Sequence, residues 1–444
     1  MFRYVKLKNY KSLIDFEVDL TSKRDTPKNL ILIYGENGIG KSNFAGVFHT
    51  LFETIMTRSF MVQIDSLLNS FSKEKEEDIN EVKTLLSEHF SKTKPSIERI
   101  IKNCKTNDSN DSMIMEFGFK IAGKNGVYTL ETDVEKVISE KLDFIYNKNI
   151  TNFFSLTEKK VILNENIFTN IDYKNELLDI IEKYWGKHSL FSLLNFEKED
   201  KKKGYLSKKL NKNLLDVLNF FMSISVRIED GIKHRKGKVG VSNKILANLE
   251  KDSIPLKEKY KITNTEKILN QFFPNLYSDI KKMYYKTSES SSKIQYELYL
   301  KKEINNKMRD IRMSQESTGT QYLLELLPFF VNSLQKETLV IDEIDLGIHD
   351  ILIKKIVENL SNSINGQVII TTHNTMLLES EINKNSLYVF VVNDEGKKEL
   401  LPISDFEERF HPNLNIRKRY LSGMYGGIPF PMDIDFEDIL QDLE

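Results

Sequence analysis

The chain has 444 residues, of which 40% are hydrophobic and 29% are charged, and its formal net charge is −1. This balance is typical of a soluble globular protein, and the length allows two or three structural units. A single cysteine, Cys104, excludes an intramolecular disulfide and a metal site built from several cysteines. The small net charge excludes a global attraction to nucleic acid or to membrane, so any such contact would need a local patch.

The first residues, Met1–Lys11, lack the apolar stretch of a signal peptide. No apolar run in the sequence approaches the roughly 20 residues that a membrane-spanning helix needs. We therefore expect a cytoplasmic protein without a membrane partner.

Residues 1–145 begin with short apolar or alternating runs, which predict strands. The third of these runs leads directly into a glycine-rich loop, and a helix is predicted after the loop, at Asn43–Met56. The predicted strands are Phe2–Leu7, Ile14–Leu20, Leu30–Tyr34, Met113–Ile121 and Gly126–Glu131.

Residues 146–290 are rich in lysine and poor in glycine, and their apolar residues recur at three- and four-residue spacing. This pattern predicts a compact helical insertion, and no heptad repeat persists long enough for a coiled coil. Two basic clusters, Lys201–Lys203 and His234–Lys238, are predicted at loop tips. They could contact nucleic-acid phosphates or an acidic protein surface, or they could be solvated loops.

Residues 291–444 alternate strand and helix again, with helices predicted at about 319–335 and 349–363. The predicted strands are Ile294–Leu300, Leu339–Ile341, Val368–Thr371 and Leu387–Val392. This alternation implies a mostly parallel sheet covered by helices. The sequence therefore predicts an α/β fold whose two halves, 1–145 and 291–444, are separated by the helical insertion.

The glycine-rich loop Gly35–Ser42 (GENGIGKS) fits the P-loop pattern, with an apolar strand before it and a helix after it. Its glycines let backbone N–H groups turn toward phosphate oxygens. Lys41 would neutralise the β- and γ-phosphates, and the Ser42 hydroxyl would bind Mg²⁺. The residues predicted to surround the nucleotide phosphates are Gly35, Asn37, Gly38, Gly40, Lys41, Ser42 and Asn43.

Two acids, Asp342 and Glu343, end the apolar run that starts at Thr338. Such a pair at the end of a buried strand projects its carboxylates toward a P-loop. Asp342 is predicted to hold Mg²⁺ through water, as a Walker B aspartate does. Glu343 is the candidate general base that orients and deprotonates the attacking water.

Two further elements complete the series in chain order. His373 ends another apolar strand about 30 residues after Glu343. Ser317 and Gly319 precede a predicted helix about 25 residues before Glu343, and a serine hydroxyl with glycine N–H groups at a helix start forms an anion site. An N-cap alone would also explain the serine.

The order of these elements resembles the RecF/SMC/OLD clan of ABC ATPases, in which an insertion divides the ATPase head. The resemblance implies that ATP and Mg²⁺ bind, that His373 senses the γ-phosphate, and that Ser317 and Gly319 form the ABC signature. It also implies that Lys11 and Ser12 approach the nucleotide and that Asp345 is the D-loop aspartate that communicates across a dimer. A strand end would equally explain Lys11 and Ser12.

A narrower resemblance is to the AbiL/RloA-like ATPases of bacterial abortive infection, including PARIS-type defence. It depends on Glu316–Pro328, Thr371–Leu378 and Arg419–Pro429. With the N-terminal strands it covers about two thirds of the chain, but not the insertion. The chain departs from the family pattern in two places. His349 is followed by aspartate instead of proline, which leaves its role open. In addition, no Q-loop glutamine can be placed. Gln63 is too close to the P-loop helix.

The resemblance implies an ATP-hydrolysing switch of an anti-phage system, in which a homodimer or higher homo-oligomer sandwiches ATP between the P-loop of one copy and Ser317 and Gly319 of the other. It would control a separately encoded effector, often a nuclease, in response to a phage protein or DNA. A RecF-like DNA-repair ATPase is the alternative, and a scaffold that binds ATP without turnover is disfavoured because Glu343 and His373 are both present. The acidic stretch Asp433–Glu444 is interpreted as a solvated or partner-binding tail rather than a nuclease site.

Overall fold

The computed structural model describes residues 1–22, 24–71, 95–229, 235–239, 244–407, 414–429 and 431–434, and these residues form three β-sheets and ten α-helices. The strands of the N-terminal part are β1 (Phe2–Tyr10), β2 (Leu13–Asp19), β3 (Leu30–Tyr34), β4 (Met113–Ile121), β5 (Lys124–Thr132), β6 (Val137–Ile145), β7 (Ile150–Thr157) and β8 (Lys160–Leu163). The remaining strands are β9 (Ser225–Glu229), β10 (Arg235–Lys238), β11 (Lys251–Pro255), β12 (Ile280–Glu289), β13 (Lys293–Ile304), β14 (Lys307–Arg312), β15 (Thr338–Ile341), β16 (Gln367–Thr371), β17 (Leu387–Val392) and β18 (Lys398–Pro402).

The helices alternate with these strands and cover the sheets. They are α1 (Lys41–Phe71), α2 (Ile97–Cys104), α3 (Tyr173–Tyr184), α4 (Leu190–Asp200), α5 (Tyr205–Lys209), α6 (Lys212–Ser223), α7 (Tyr260–Leu276), α8 (Thr318–Ser333), α9 (Asp350–Ser361) and α10 (Ile416–Leu421). In the part of the chain that the structure describes, no helix combines the length and the apolar character needed to cross a membrane.

The central sheet has the order β10-β9-β15-β16-β3-β17-β18, and its five inner strands are parallel. Its strands alternate side chains between two cores. On β3, Ile31 and Ile33 face the core shared with the first sheet, whereas Leu32 and Tyr34 face the core under α8 and α9. Both faces of the sheet are buried, which explains the continuous apolar runs of these strands. The predicted α/β fold with a parallel sheet is confirmed.

The first sheet is antiparallel, in the order β2-β1-β4-β5-β6-β7-β8. The buried side chain of Gln367, on the central strand β16, ties it to the central sheet. Its Oε1 accepts a hydrogen bond from the Phe2 N–H at 2.7 Å, and its Nε2 donates to the Phe2 carbonyl at 2.9 Å. An amide that pairs with both backbone groups of one residue acts as a substitute strand neighbour, so β1 is fixed relative to the sheet that carries the P-loop.

The stretch 146–290, predicted as a helical insertion, holds helices α3–α7 and also strands that the sequence pattern did not predict. Strand β9 follows α6 directly and is only five residues long, so its apolar residues merge with the helical pattern. Strand β12 contains a register shift between Ile280 and Lys282, which breaks the two-residue period. It joins β11, β13 and β14 in the third, antiparallel sheet. The limits of the insertion at 146 and 290 stay a prediction.

The two basic clusters and the acidic tail are only partly described. Lys201–Lys203 lie exposed between α4 and α5, as predicted for a loop tip. Residues 235–238 of the second cluster form β10, whereas His234 lies outside the described residues. Asp433 is exposed, and the rest of the acidic tail, 435–444, also lies outside them.

Helix α1 carries the P-loop lysine and lies between the first sheet and the central sheet. Its middle is held by α4, because the Thr57 hydroxyl is 3.0 Å from the Ser192 hydroxyl and 3.0 Å from Nδ1 of His188. The backbone N–H of Arg58 donates to the same Ser192 hydroxyl at 2.9 Å. The position of α1 therefore depends on where α4 is docked.

A buried carboxylate, that of Glu140 on β6, docks the start of α4 on the first sheet. It accepts hydrogen bonds from the Leu190 N–H at 2.6 Å, from Trp185 Nε1 at 3.0 Å and from the Tyr128 hydroxyl at 2.9 Å. Burial raises the pKa of Glu140 to about 6, although these donors act to lower it. The carboxyl group is ionised at pH 7, where all the donors find an acceptor.

We expect Glu140→Gln to lower the free energy of unfolding by about 1–3 kcal/mol at pH 7, because the amide NH₂ would face N–H donors and leave one of them buried without an acceptor. Urea unfolding followed by circular dichroism measures this change. Glu135→Gln, in the exposed turn before β6, is the matched control. Equal midpoints for Glu140→Gln and wild type would contradict this role of the carboxylate.

Candidate active site

The loop Gly35–Ser42 joins β3 to α1 in the conformation that its glycines allow. Gly38 and Gly40 have φ angles of +77° and +130°. Residues that carry a Cβ atom adopt such positive φ angles only at a cost in conformational energy. A Cβ atom on Gly40 would also lie 3.1 Å from Leu13 Cδ2 and 3.6 Å from the Ser12 Oγ. The loop is therefore packed against the turn between β1 and β2.

The ammonium group of Lys41 points back into this loop. Its Nζ donates to the carbonyl oxygens of Gly35 at 2.8 Å and Glu36 at 2.9 Å, and the residue is only 5% exposed. Burial lowers the pKa of the ammonium, while the carboxylates of Asp342 and Glu343 act to raise it. The loop thus surrounds a fixed positive charge at the N-terminus of α1, where backbone N–H groups also favour anions.

The N-terminal residues predicted to approach the nucleotide lie beside this loop. The Ser12 Oγ accepts a hydrogen bond from Asn43 Nδ2 at 2.7 Å. The ammonium of Lys11 lies 3.9 Å from where a Cβ on Gly46 would be, one turn further along α1. Ser12 is therefore adjacent to the phosphate loop, and Lys11 contacts the helix behind it.

Asp342 lies at the carboxyl end of β15 and is completely buried. Its Oδ1 accepts a hydrogen bond from the Thr371 hydroxyl at 2.5 Å, and its Oδ2 has no hydrogen-bond partner among the described residues. Burial raises the pKa of this carboxyl group, while Thr371, Ser42 and the N–H of Glu229 act to lower it. A buried carboxylate oxygen without a partner, beside a serine hydroxyl, is a donor set that suits Mg²⁺.

Glu343 follows in a left-handed backbone conformation with a φ of +49°, which costs a residue with a side chain on the order of 1 kcal/mol or more. Two contacts hold this conformation. The Glu343 N–H donates to the Thr371 hydroxyl at 2.8 Å, and its carbonyl accepts from the Tyr322 hydroxyl at 3.0 Å. Burial and the neighbouring Asp342 raise the pKa of the Glu343 carboxyl group, as a general base requires.

Tyr322 belongs to α8, and it is positioned by a cation from the adjacent strand β9. The Arg227 guanidinium lies 4.3 Å from the centroid of the Tyr322 ring, and its Nη1 donates to the Tyr322 hydroxyl at 3.1 Å. The same guanidinium pairs with Glu229 at 2.8 Å and with Glu325 at 3.1 Å. The start of α8 is thus connected to the backbone of Glu343 within one chain.

Sequence reasoning missed Thr371, Tyr322, Arg227 and Glu229. Glu229 ends β9, the parallel neighbour of β15, so its carboxylate lies near those of the site and acts to raise the pKa of Glu343. Only the pairing of β9 with β15 could have located Arg227 and Glu229, and the role of Thr371 depends on the pairing of β15 with β16. Gln63, which the sequence places too close to the P-loop helix for a Q-loop ligand, lies on α1 itself and is exposed. It follows Lys41 by 22 residues, or about 33 Å along a helix.

His373 and Asp345 are adjacent in the structure. The N–H of His373 donates to Asp345 Oδ2 at 3.0 Å, and the side chain of His373 is exposed. Asp345 Oδ1 is buried and lacks a partner among the described residues. His349 has a structural contact, since its Nδ1 accepts from the Ile351 N–H at 3.3 Å and caps α9.

The residues predicted as the signature lie at the start of α8. Ser317 is its exposed N-cap, with Oγ accepting from the Thr320 N–H at 3.2 Å, and Gly319 is buried. A Cβ on Gly319 would approach the Gly347 carbonyl to 2.5 Å, so only glycine allows α8 to pack this closely on the loop that follows Asp345. The structure thus places Gly319 against the loop that follows Asp345 of the same chain.

Comparisons with known proteins place the chain in a family. A profile described as "AAA domain, putative AbiEii toxin, Type IV TA system" matches residues 30–379, more than half of the chain. No curated protein matches the sequence.

Two SMC heads are among the similar solved structures. The SMC head domain from Thermotoga maritima has 14% identity and a TM-score of 0.35, and the match covers 90% of this chain and 98% of that one. The Smc head domain from Pyrococcus furiosus, with an extended coiled coil and bound to the C-terminal domain of ScpA, has 12% identity and a TM-score of 0.39, with coverage of 91% and 97%. Because the profile covers more than half of the chain, the chain belongs to this family of AAA domains, and the predicted recognition as an ATPase of this kind is confirmed.

Proposed function

We propose that this protein is an ATP-hydrolysing switch of a bacterial anti-phage system, which dimerises around ATP and controls a separately encoded effector. The observation that carries the proposal is the convergence of four groups at the carboxyl edge of the parallel sheet. The ammonium of Lys41, the carboxylates of Asp342 and Glu343 and the turn at His373 all lie there. The carboxyl edge of such a sheet is where ligands of α/β proteins bind.

Each group has a defined role in this proposal. The loop N–H groups and Lys41 bind the phosphates, and Glu343 orients the attacking water and accepts its proton. His373, on the exposed side of the site, contacts the γ-phosphate. Ser42 and Asp342 would hold Mg²⁺, which supplies charge neutralisation on the phosphates when bound.

A second copy of the chain would complete each site. Ser317 is exposed at the start of α8, and two apolar side chains beside the D-loop are also exposed, Leu346 at 38% and Ile351 at 57%. A helix N-terminus with an exposed serine suits the γ-phosphate held by another copy. Apolar side chains around it would be removed from water in the same contact. These features support a homodimer, from which a larger homo-oligomer could be built.

The family's association with AbiEii toxins and type IV toxin–antitoxin systems supports a role in bacterial defence. Closing of the dimer on ATP and its reopening after hydrolysis would change how an effector, such as a nuclease, is held. A phage protein or DNA would be the trigger. A RecF-like ATPase acting on DNA is the alternative against which the experiments below are designed.

We expect Glu343→Gln to lower the rate of ATP hydrolysis by at least about 100-fold, because the amide cannot accept the proton of the attacking water. ATP binding should be retained, so an ATP-dependent dimer should accumulate. Phosphate release and light scattering after size-exclusion chromatography measure the two effects. Glu395→Gln, in the exposed turn between β17 and β18, is the control. Hydrolysis at the normal rate would refute the assignment of the base.

Tyr322→Phe should lower kcat about tenfold and leave the KM for ATP unchanged. The variant keeps the ring beside Arg227 but removes the hydroxyl that fixes the Glu343 carbonyl and accepts from Arg227. The loss of the bond to the Glu343 carbonyl, about 1–1.5 kcal/mol, corresponds to this factor. Tyr296→Phe is the matched control, because that hydroxyl donates to the Asn248 carbonyl from the third sheet. An unchanged kcat would show that Tyr322 does not position Glu343.

Purification of tagged Glu343→Gln protein from the native host distinguishes the two functions. We expect a stoichiometric protein partner that survives nuclease treatment and that mass spectrometry identifies. The reason is that the variant holds the closed state in which the effector is controlled. Recovery of DNA without such a partner would instead support the DNA-repair function.

A further inference from the structure

The C-terminal segment, residues 414–427, has no part in the function proposed above, although its sequence contributed to the family resemblance. We propose that this segment is an integral part of the nucleotide site, where it fixes the first residue of the P-loop relative to the turn that follows His373. The inference depends on the proposed function, since it assumes that the loop Gly35–Ser42 binds ATP. It assigns positioning residues to a part of the chain outside all of the nucleotide-binding motifs.

The first contact is a backbone packing of Gly427 on the P-loop. A Cβ on Gly427 would approach Val389 Cγ1 to 2.5 Å, the Phe390 carbonyl to 2.8 Å and Gly35 Cα to 3.4 Å. Gly35 itself is equally constrained, because a Cβ there would lie 2.9 Å from Phe390 Cβ. The start of the P-loop, the end of β17 and the C-terminal segment therefore fit together only because two of the residues are glycine.

The second contact is the buried side chain of Tyr420, on α10. Its hydroxyl donates to the Gly427 carbonyl at 2.9 Å. Burial raises the pKa of this hydroxyl to about 12, and the backbone of Gly35 acts to lower it. The Tyr420 ring also meets the ring of Tyr34, the last residue of β3, edge-on at 5.6 Å. The Tyr420 side chain thus joins the C-terminal segment to the strand that leads into the P-loop.

The third contact reaches the turn after His373. Arg417 donates from Nε to the Thr375 hydroxyl at 3.1 Å and from Nη1 to the Glu379 carboxylate at 3.3 Å. On the other side of the same turn, the Tyr34 hydroxyl donates to the Asn374 carbonyl at 3.2 Å. The C-terminal segment therefore spans the two elements that must face the same phosphate group, and it sets the distance between them.

The consequence for ATP follows from the geometry of the loop. A P-loop binds phosphate through backbone N–H groups whose directions are set by its φ and ψ angles, so a displaced Gly35 misdirects the donors that follow it. Among the described residues, no hydrogen bond or ion pair joins Asp342 or Glu343 to the segment; their bonds are to Thr371 and Tyr322. Loss of the segment's contacts should hence weaken ATP binding more than it slows the chemical step.

The test is the affinity for ATP of Gly427→Ala, measured by equilibrium dialysis with Mg²⁺ and a non-hydrolysable ATP analogue. We expect the Kd to rise at least tenfold. Gly396→Ala is the matched control, because Gly396 has a φ of +76°, close to the +71° of Gly427, and nothing lies within 4 Å of its Cβ position. Both substitutions carry a similar backbone strain, so they differ in the packing of the new Cβ against Val389, Phe390 and Gly35.

Tyr420→Phe provides a milder second variant, in case Gly427→Ala does not fold, and we expect a three- to tenfold rise in its Kd with kcat within twofold of wild type. Tyr296→Phe again serves as the control. If wild type binds the analogue and Tyr420→Phe binds it equally well, or loses only thermal stability, the inference is overturned. If wild type itself fails to bind, it is the proposed function that fails.

Discussion

A single hydroxyl group, that of Thr371, fixes the positions of Asp342 and Glu343 relative to each other. It donates its one proton to Asp342 Oδ1 at 2.5 Å and accepts the N–H of Glu343 at 2.8 Å. The two predicted functional acids are thus oriented by one atom at the end of the next strand. Since the left-handed conformation of Glu343 is unfavourable by itself, it persists only while this hydrogen bond and the one from Tyr322 compensate for it.

The same centre receives contacts from the elements expected to meet a second copy of the chain. Tyr322 connects the start of α8 to Glu343, Gly319 packs on the loop after Asp345, and Asp345 binds the N–H of His373. A ligand bound at the exposed Ser317 would therefore contact a helix, α8, that is hydrogen-bonded directly to the backbone of Glu343. Coupling between two sites needs a physical connection of this kind, with different contacts in the two states.

The sequence could predict those residues whose role follows from their own segment, such as the end of an apolar strand. It could not predict residues whose role depends on which strands pair. The P-loop, the two acids and His373 each end an apolar strand, and their positions at one sheet edge follow from the parallel topology. Thr371 is also next to a predicted strand end, but a threonine there carries no signal, because its role comes from the pairing of β15 with β16. Arg227 and Glu229 could not be found because β9 was not predicted. An arginine in a sequence is expected at the protein surface, since it is seldom buried without partners that the sequence does not show.

The topology has a consequence for how the site is formed. Strand β3, which leads into the P-loop, pairs with β16 on one side and β17 on the other, both more than 330 residues later in the sequence. The P-loop strand therefore has no neighbour in the sheet until the C-terminal half of the chain is present. The contacts of Gln367 with Phe2 and of Gly427 with Gly35 have the same property. Contacts of such long sequence separation form late and all together. The entropy cost of closing the long loop must be met before these contacts can stabilise the chain. An incomplete chain would consequently present the phosphate-binding loop without its two supporting strands, so ATP binding reports that the whole head has folded.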